Sequence, residues 1–173
     1  KWQHAVQVRP AHSGKGQQHA LKAALAEGLI DFIATDHSPA PPDIKGLDSG
    51  NFATAWGGIA GIQFLLPAAW SALKDTLSLE AFIPLLTANP ARFLNIIPQK
   101  GTLQVCSDAD IVVWSPETAF EVRPETVLFR HPISPYIGET LFGVVKDTYL
   151  CGHLVYQNQQ MLEPHKGTWL KRP

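Results

Sequence analysis

Residues 29–39 read Leu-Ile-Asp-Phe-Ile-Ala-Thr-Asp-His-Ser-Pro, a nearly continuous apolar run that ends in polar residues and a proline. Its first six residues are typical of a strand that is buried on both faces of a sheet. Upstream, residues 5–8 form a second strand-like run that Pro10 stops, and residues from Gln17 onward have helical periodicity that ends at Gly28. Strand, helix and strand in this order predict a βαβ unit with parallel strands, and therefore an α/β fold.

A loop rich in proline and glycine is predicted from Ser38 to Gly58. Loops of this length inside compact domains are often functional. Helical periodicity resumes over residues 59–73, where Pro67 is expected to kink the helix or mark a break. Ser78 is expected to cap the next helix, and Asn89-Pro90 to begin a short one.

The second half of the chain has a different pattern, because short strand-like runs replace the helices from Lys100 onward. The expected strands are residues 101–105, 110–114, 142–150 and 153–157, with a polar tail from Asn158. These runs predict a small antiparallel β unit. The domain boundary is therefore placed between residues 1–99 and residues 100–173.

The composition is that of an ordinary globular protein, with 45% hydrophobic and 17% charged residues among 173. The formal net charge of −1 does not favour a nucleic acid or an anionic membrane as partner. No signal peptide or membrane-spanning run is expected, and two cysteines form no disulfide framework, so a cytoplasmic location is predicted. The only methionine is Met161, which suggests a piece of a longer protein.

Candidate site residues follow from position, since ligands of parallel α/β sheets meet the carboxyl ends of the strands. Asp36 and His37 stand at such an end, although Asp36 could instead form a turn or cap, and His37 could be a packing histidine. Gly57-Gly58, after Trp56, allow a ligand to approach the backbone or simply make a tight turn. Lys45 is more typical of a surface lysine. The residues alone lead no further than a parallel α/β piece with a candidate carboxylate site.

Several motifs resemble the cyclic amidohydrolases, and allantoinases in particular. The Asp-His-Ser-Pro stretch at residues 36–39 is shared across that family, including dihydroorotases. The Ala-Trp-Gly-Gly-Ile stretch at residues 55–59 favours the allantoinases over hydantoinases and dihydroorotases. The order and spacing of further stretches also match along the whole chain: Lys45, residues 50–52, 89–91, 100–103, 109–114 and 134–138.

The resemblance implies a (β/α)8 TIM barrel that carries two divalent metal ions, usually zinc, and a flanking β domain built from both chain ends. This chain would supply the C-terminal part of the barrel, followed by part of a small β-sandwich. Residues near 3–10 and 29–35 would be the seventh and eighth barrel strands. Of the family's metal ligands only the aspartate falls within this chain, and it matches Asp36; the others, including a carboxylated lysine, lie outside.

The resemblance also implies the roles of the site residues. Asp36 would bind metal and act as the catalytic group, taking a proton from the attacking water and passing it to the leaving ring nitrogen. Backbone groups of Trp56, Gly57 and Gly58 would hold the substrate, which His37 would help to orient. The implied reaction is hydrolysis of the hydantoin ring of allantoin to allantoate in purine catabolism, by a homo-oligomer acting on a small cyclic ureide.

Two alternatives remain open at this stage: another cyclic amidohydrolase, such as a dihydroorotase or hydantoinase, or a non-catalytic remnant that keeps the fold as an interaction module. Allantoinases usually have Pro-Pro-Ile-Arg after the seventh strand, whereas residues 9–13 here are Arg-Pro-Ala-His-Ser. Cys106 stands where the family generally has glycine. The chain alone is expected to be inactive, because one carboxylate does not hold two zinc ions.

Overall fold

The computed structural model describes residues 15–51, 53–162 and 167–170. The predicted strand at residues 5–8 and the departure at residues 9–13 lie outside the described residues. The helices are α1 (Lys15–Ala26), α2 (Leu65–Leu73), α3 (Leu79–Phe82) and α4 (Ala88–Phe93), and the strands are β1 (Ile111–Glu121), β2 (Thr140–Leu150), β3 (His153–Gln157) and β4 (Gln160–Met161). Short 3-10 turns lie at Pro42–Lys45, Ile62–Phe64, Ile83–Leu85 and Pro124–Thr126. Within the described ranges, no helix has the length and apolar character required to cross a membrane.

Helix α1 confirms the helix predicted before Gly28, which has a φ of +72° and follows the end of the helix. The strand predicted over residues 29–34 is wrong for the described residues. In this segment Leu29 N donates to Ala24 O (2.9 Å) at the end of α1 and Ile33 N donates to Leu85 O (3.0 Å), and the segment leads to an isolated parallel bridge between His37 and Ile59. A parallel strand needs paired neighbours, and the described part of the chain offers this segment only that single bridge.

The sheet is antiparallel, with its four strands in the order β1-β2-β3-β4. Strands β2 and β3 confirm the runs predicted at residues 142–150 and 153–157. The run predicted at 110–114 is also confirmed, but β1 continues to Glu121 across a register shift between Ser115 and Ala119. The described residues therefore form an antiparallel sheet with α2 packed against β2, and they do not themselves form a barrel.

The strand predicted at residues 101–105 is wrong. These residues form a loop in which Ser107 N donates to Gln104 O at 3.1 Å, and Val105 is 92% exposed. The residues that flank this segment are joined by ion pairs. The ammonium group of Lys100, just before the segment, forms salt bridges with Asp108 (3.0 Å) and Asp110 (2.5 Å), which follow it. These ion pairs close the segment into a loop.

Helix α2 packs on the sheet and joins the two halves of the chain. The Trp70 indole N–H donates to Pro116 O at 3.0 Å, and its ring meets Trp114 edge-on at a centroid distance of 5.8 Å. Phe142 N donates to the Ser71 hydroxyl at 2.6 Å, which fixes β2 against the helix. Two apolar clusters of buried residues surround this contact: Phe64, Val122, Val127 and Leu141 in one, and Trp70, Leu73 and Phe82 in the other.

The predicted helix over residues 59–73 begins later than expected. A 3-10 turn at Ile62–Phe64 leads into α2, and Pro67 lies in the first turn of the helix, where no backbone donor is required. Pro67 therefore marks the break that its position predicted. Ser78 caps α3 by accepting from Ala81 N at 3.4 Å, and α4 contains Asn89-Pro90, so both helix starts are confirmed.

Replacing Lys100 with methionine is expected to lower the free energy of unfolding by about 1 kcal/mol at neutral pH. Burial alone would lower the pKa of Lys100, but its hydrogen bonds to Asp110 and Asp108 outweigh burial and raise the pKa from 10.5 to about 12. Because the folded-state pKa is the higher one, the stabilisation is complete below about pH 10.4 and is lost as the pH rises toward 12. Urea denaturation of wild type and Lys100→Met between pH 8 and pH 11 measures this narrowing difference. The exposed Lys146, changed to methionine, is the control, and an equal loss in both variants at every pH would contradict the prediction.

Cys106 lies in the loop at residues 101–107 with a φ of +71°, a conformation that favours glycine. Changing Cys106 to glycine should therefore stabilise the protein by about 1 kcal/mol, because the side chain no longer meets the carbonyl oxygen in the left-handed conformation. The thermal unfolding midpoint of Cys106→Gly should rise, whereas Cys106→Ser, which keeps the β-carbon, should leave it unchanged. A similar rise in both variants would assign the effect to the thiol instead.

Candidate active site

Asp36 lies at the end of the 29–35 segment and is exposed, with a φ of +47°. Aspartate tolerates this left-handed conformation better than most residues. In the described part of the chain its carboxylate has no hydrogen-bond or ion-pair partner, so it does not serve there as a helix cap. A carboxylate with free oxygen atoms at the end of this segment is available to a ligand.

The His37 ring is held by backbone groups at the start of the next helical region. Its Nδ1 accepts from Gly61 N (3.1 Å) and Ile62 N (3.3 Å), so the ring proton is on Nε2. The ring also lies 5.3 Å from the Phe129 ring, centroid to centroid. His37 therefore has a packing and anchoring role, and it retains one donor, Nε2–H, for any further contact.

The long loop is more ordered than its composition predicts. A 3-10 turn at Pro42–Lys45 ends at Gly46, which has a φ of +58°. Trp56 N donates to Ile44 O at 2.8 Å, which fastens the far end of the loop to this turn. Asn51 organises the intervening residues by accepting from Ala53 N through its side chain at 3.0 Å.

The local pattern assigned Lys45 to the surface, but the structure gives it a contact within this loop. Its ammonium group donates to Gly57 O at 3.0 Å and also to Gly58 O. Burial lowers the pKa of Lys45. Because its partners are backbone carbonyls twelve and thirteen residues further along the chain, no local pattern marks this contact.

Gly58 packs against the stretch that carries Asp36. It is buried with a φ of +88°, and a β-carbon placed there would lie 2.3 Å from Ser38 Oγ and 2.8 Å from Ser38 O. Ser38 N also donates to Ile59 O at 2.9 Å. The structure thus brings two predicted elements of the site together, the Asp36-His37 end and the glycine pair. Trp56 lies beside them with 60% of its surface exposed.

The described residues do not fit a complete metal centre. Among them, no three His, Cys, Asp or Glu side chains are grouped so that they could hold a metal ion. Asp36 supplies a single carboxylate, whereas zinc sites use three or four protein ligands.

Comparison with known proteins identifies the family of this chain. The sequence profile of the Amidohydrolase family matches residues 7–155. The allantoinase of Streptomyces avermitilis is 42% identical over 156 residues, which cover 90% of this chain and 34% of the relative. The allantoinase of Arabidopsis thaliana is 41% identical over 139 residues, covering 79% and 27% of the two chains. These matches confirm the resemblance to allantoinases that the motifs predicted.

Solved structures of related proteins have the same fold over the matched region. The L-hydantoinase (dihydropyrimidinase) of Arthrobacter aurescens superposes with a TM-score of 0.81 at 28% identity, covering 92% of this chain and 37% of that one. A D-hydantoinase (dihydropyrimidinase) from Thermus sp. has a TM-score of 0.78 at 26% identity, with 86% and 33% covered. The chain thus spans about a third of the length of its relatives. Since the family profile extends over most of its length, the chain belongs to the amidohydrolase family.

Proposed function

We propose that the full-length parent hydrolyses the hydantoin ring of allantoin to allantoate, and that this chain supplies its catalytic aspartate, Asp36, and its substrate loop, Trp56-Gly57-Gly58. The observation that carries the proposal is the exposed Asp36 carboxylate, which has no partner among the described residues, in the stretch against which the Gly57-Gly58 loop packs. The similarity to two allantoinases at more than 40% identity supports this choice of ring.

Ring opening requires proton transfer at both ends of the reacting bond, because water is a weak nucleophile and an amide nitrogen is a poor leaving group. Asp36 would take the proton of the attacking water and return it to the ring nitrogen as the bond breaks. Metal ions, when bound, activate water and polarise a carbonyl in enzymes of this kind. Asp36 would be one of the ligands of a site for two divalent metal ions, expected to be zinc. The other ligands would come from outside this chain.

The proposal extends to the architecture of the parent. Residues 1–99 would complete a (β/α)8 barrel and residues 100–173 would contribute to a flanking β domain. His37 Nε2 and the backbone of Trp56, Gly57 and Gly58 would face the ureide. The parent is expected to be a cytoplasmic homo-oligomer, and this chain alone to be inactive, because a single carboxylate does not bind two zinc ions.

A second candidate function is the opening of a different ring, which the similarity to hydantoinase structures favours. A third is a non-catalytic remnant. The two experiments that decide are the intact mass of the endogenous protein and the assay of the full-length enzyme on allantoin, hydantoin and dihydroorotate. A mass well above 19.0 kDa with preferential opening of allantoin supports the proposal. Preference for another ring would replace it by the second candidate, and a native mass near 19.0 kDa would favour the third.

A further inference from the structure

The Lys45 ammonium group is hydrogen-bonded to backbone carbonyls rather than paired with a carboxylate. Its Nζ donates to the carbonyl oxygens of Gly57 and Gly58, and among the described residues it forms no salt bridge. A half-buried ammonium gives up hydration, which the two charge-assisted hydrogen bonds offset. A lysine without a fixed role would keep its ammonium group in water.

The contact of Lys45 with Gly57 O sets the direction of the Gly57–Gly58 peptide group. The Gly57–Gly58 peptide bond is trans. In a planar trans peptide the N–H points away from the carbonyl of the same unit, so the Gly58 N–H points away from the carbonyl that Lys45 holds. In the described part of the chain, neither Gly57 N nor Gly58 N donates to a protein acceptor. The loop therefore presents the Gly58 N–H as a donor whose direction depends on Lys45.

The loop is also held on two other sides. Trp56 N donates to Ile44 O at 2.8 Å, one residue before Lys45, and Gly58 packs against Ser38. Lys45 thus closes the connection between its own 3-10 turn and the stretch that carries Asp36. Without its ammonium group, the carbonyls of Gly57 and Gly58 lose their partner, and the orientation of these two peptide units is less restrained.

We propose that Lys45 is the positioning residue of the substrate loop: it holds the Gly57 and Gly58 carbonyls so that the Gly58 N–H is kept ready to donate to a carbonyl oxygen of a cyclic ureide. This inference rests on the proposed function for its substrate. Its structural part, that Lys45 keeps the loop ordered, stands on the contacts alone.

The test uses the full-length enzyme with Lys45→Met, Lys45→Arg and the control Lys146→Met, which changes an exposed lysine. We expect Lys45→Met to raise KM for allantoin roughly tenfold or more with a smaller change in kcat, because a contact that binds substrate and transition state alike is lost. Lys45→Arg, which retains donors, should recover part of the loss. Amide hydrogen exchange of residues 53–58 should be faster in Lys45→Met than in wild type and Lys146→Met.

An unchanged KM and unchanged exchange in Lys45→Met would overturn the inference. If wild type opens no ureide ring, the proposed function fails, and exchange at residues 53–58 alone decides whether Lys45 holds the loop. Circular dichroism checks the fold of each variant. If Lys45→Met does not fold, Lys45→Gln carries the same test, and a KM and an exchange rate equal to those of wild type and Lys146→Met would overturn the inference.

Discussion

The Asp36→Asn variant of the full-length enzyme is expected to lose activity on allantoin by about 10²–10⁴-fold while keeping its fold. An amide has the shape of the carboxylate but cannot take a proton from water or return it to the ring nitrogen. The side chain is exposed and unpartnered within the described residues, so the substitution breaks no internal hydrogen bond there. The measurement is kcat at saturating allantoin, with the thermal unfolding midpoint recorded in parallel.

Asp31→Asn is the matched control, because Asp31 is an exposed aspartate five residues earlier in the same segment. It should keep near-normal activity, although its backbone carbonyl accepts from the Asn89 side chain at 2.7 Å, a bond that the substitution leaves in place. Near-normal turnover by Asp36→Asn would remove Asp36 from the catalytic role. Equal losses in both variants would indicate a general effect of charge near the site.

Local sequence patterns predicted those elements whose causes are local. Helix α1 ends before Gly28 and α3 begins at the Ser78 cap, because these residues satisfy backbone groups of their own helices. Strands β2 and β3 are neighbours along the chain and are joined by the turn at Cys151-Gly152, so their pairing needs no distant partner.

The two wrong strand predictions, at residues 29–34 and 101–105, have causes outside those segments. The 29–34 segment has the composition of a buried parallel strand, but strand pairing depends on neighbours that the described residues do not provide. The 101–105 run is apolar enough for a strand, yet the ion pairs of Lys100 with Asp108 and Asp110 bend it into a loop. The composition of a segment shows neither whether it has strands to pair with nor whether ion pairs join the residues that flank it.

The candidate site was predictable only in part, for the same reason. Position after an apolar run pointed to Asp36 and His37, and the resemblance pointed to the glycine pair. The anchoring of the His37 ring on Gly61 N and Ile62 N and the contact of Lys45 with the loop join residues distant in sequence. The sequence therefore indicated candidate ligand-facing residues, whereas the residues that hold them in place became apparent only in the structure.

Gly58→Ala is expected to cost about 2–5 kcal/mol of folding free energy and to displace the substrate loop. Its left-handed conformation (φ +88°) accounts for about 1–2 kcal/mol of this loss. The remainder comes from collision, since the new β-carbon would lie 2.6 Å from Ser38 Cβ and 2.8 Å from Ser38 O, and the latter is backbone that cannot rotate away. Gly28→Ala is the matched control, because Gly28 also has a positive φ (+72°) but has no neighbouring atom within 4 Å of the added carbon.

The free energies of unfolding of Gly58→Ala and Gly28→Ala, measured by urea denaturation, separate conformational strain from collision. Both variants have the conformational strain, but only Gly58→Ala has the collision. The double variant Gly58→Ala/Ser38→Gly removes the Ser38 side chain and should recover part, but not all, of the loss, since the contact with Ser38 O remains. If Gly58→Ala is no more destabilising than Gly28→Ala, the loop does not pack against Ser38 as closely as the structure has it. The glycine would then serve only the turn, and the coupling between the substrate loop and the stretch that carries Asp36 would have to rest on Lys45 and the Ser38 N–Ile59 O hydrogen bond.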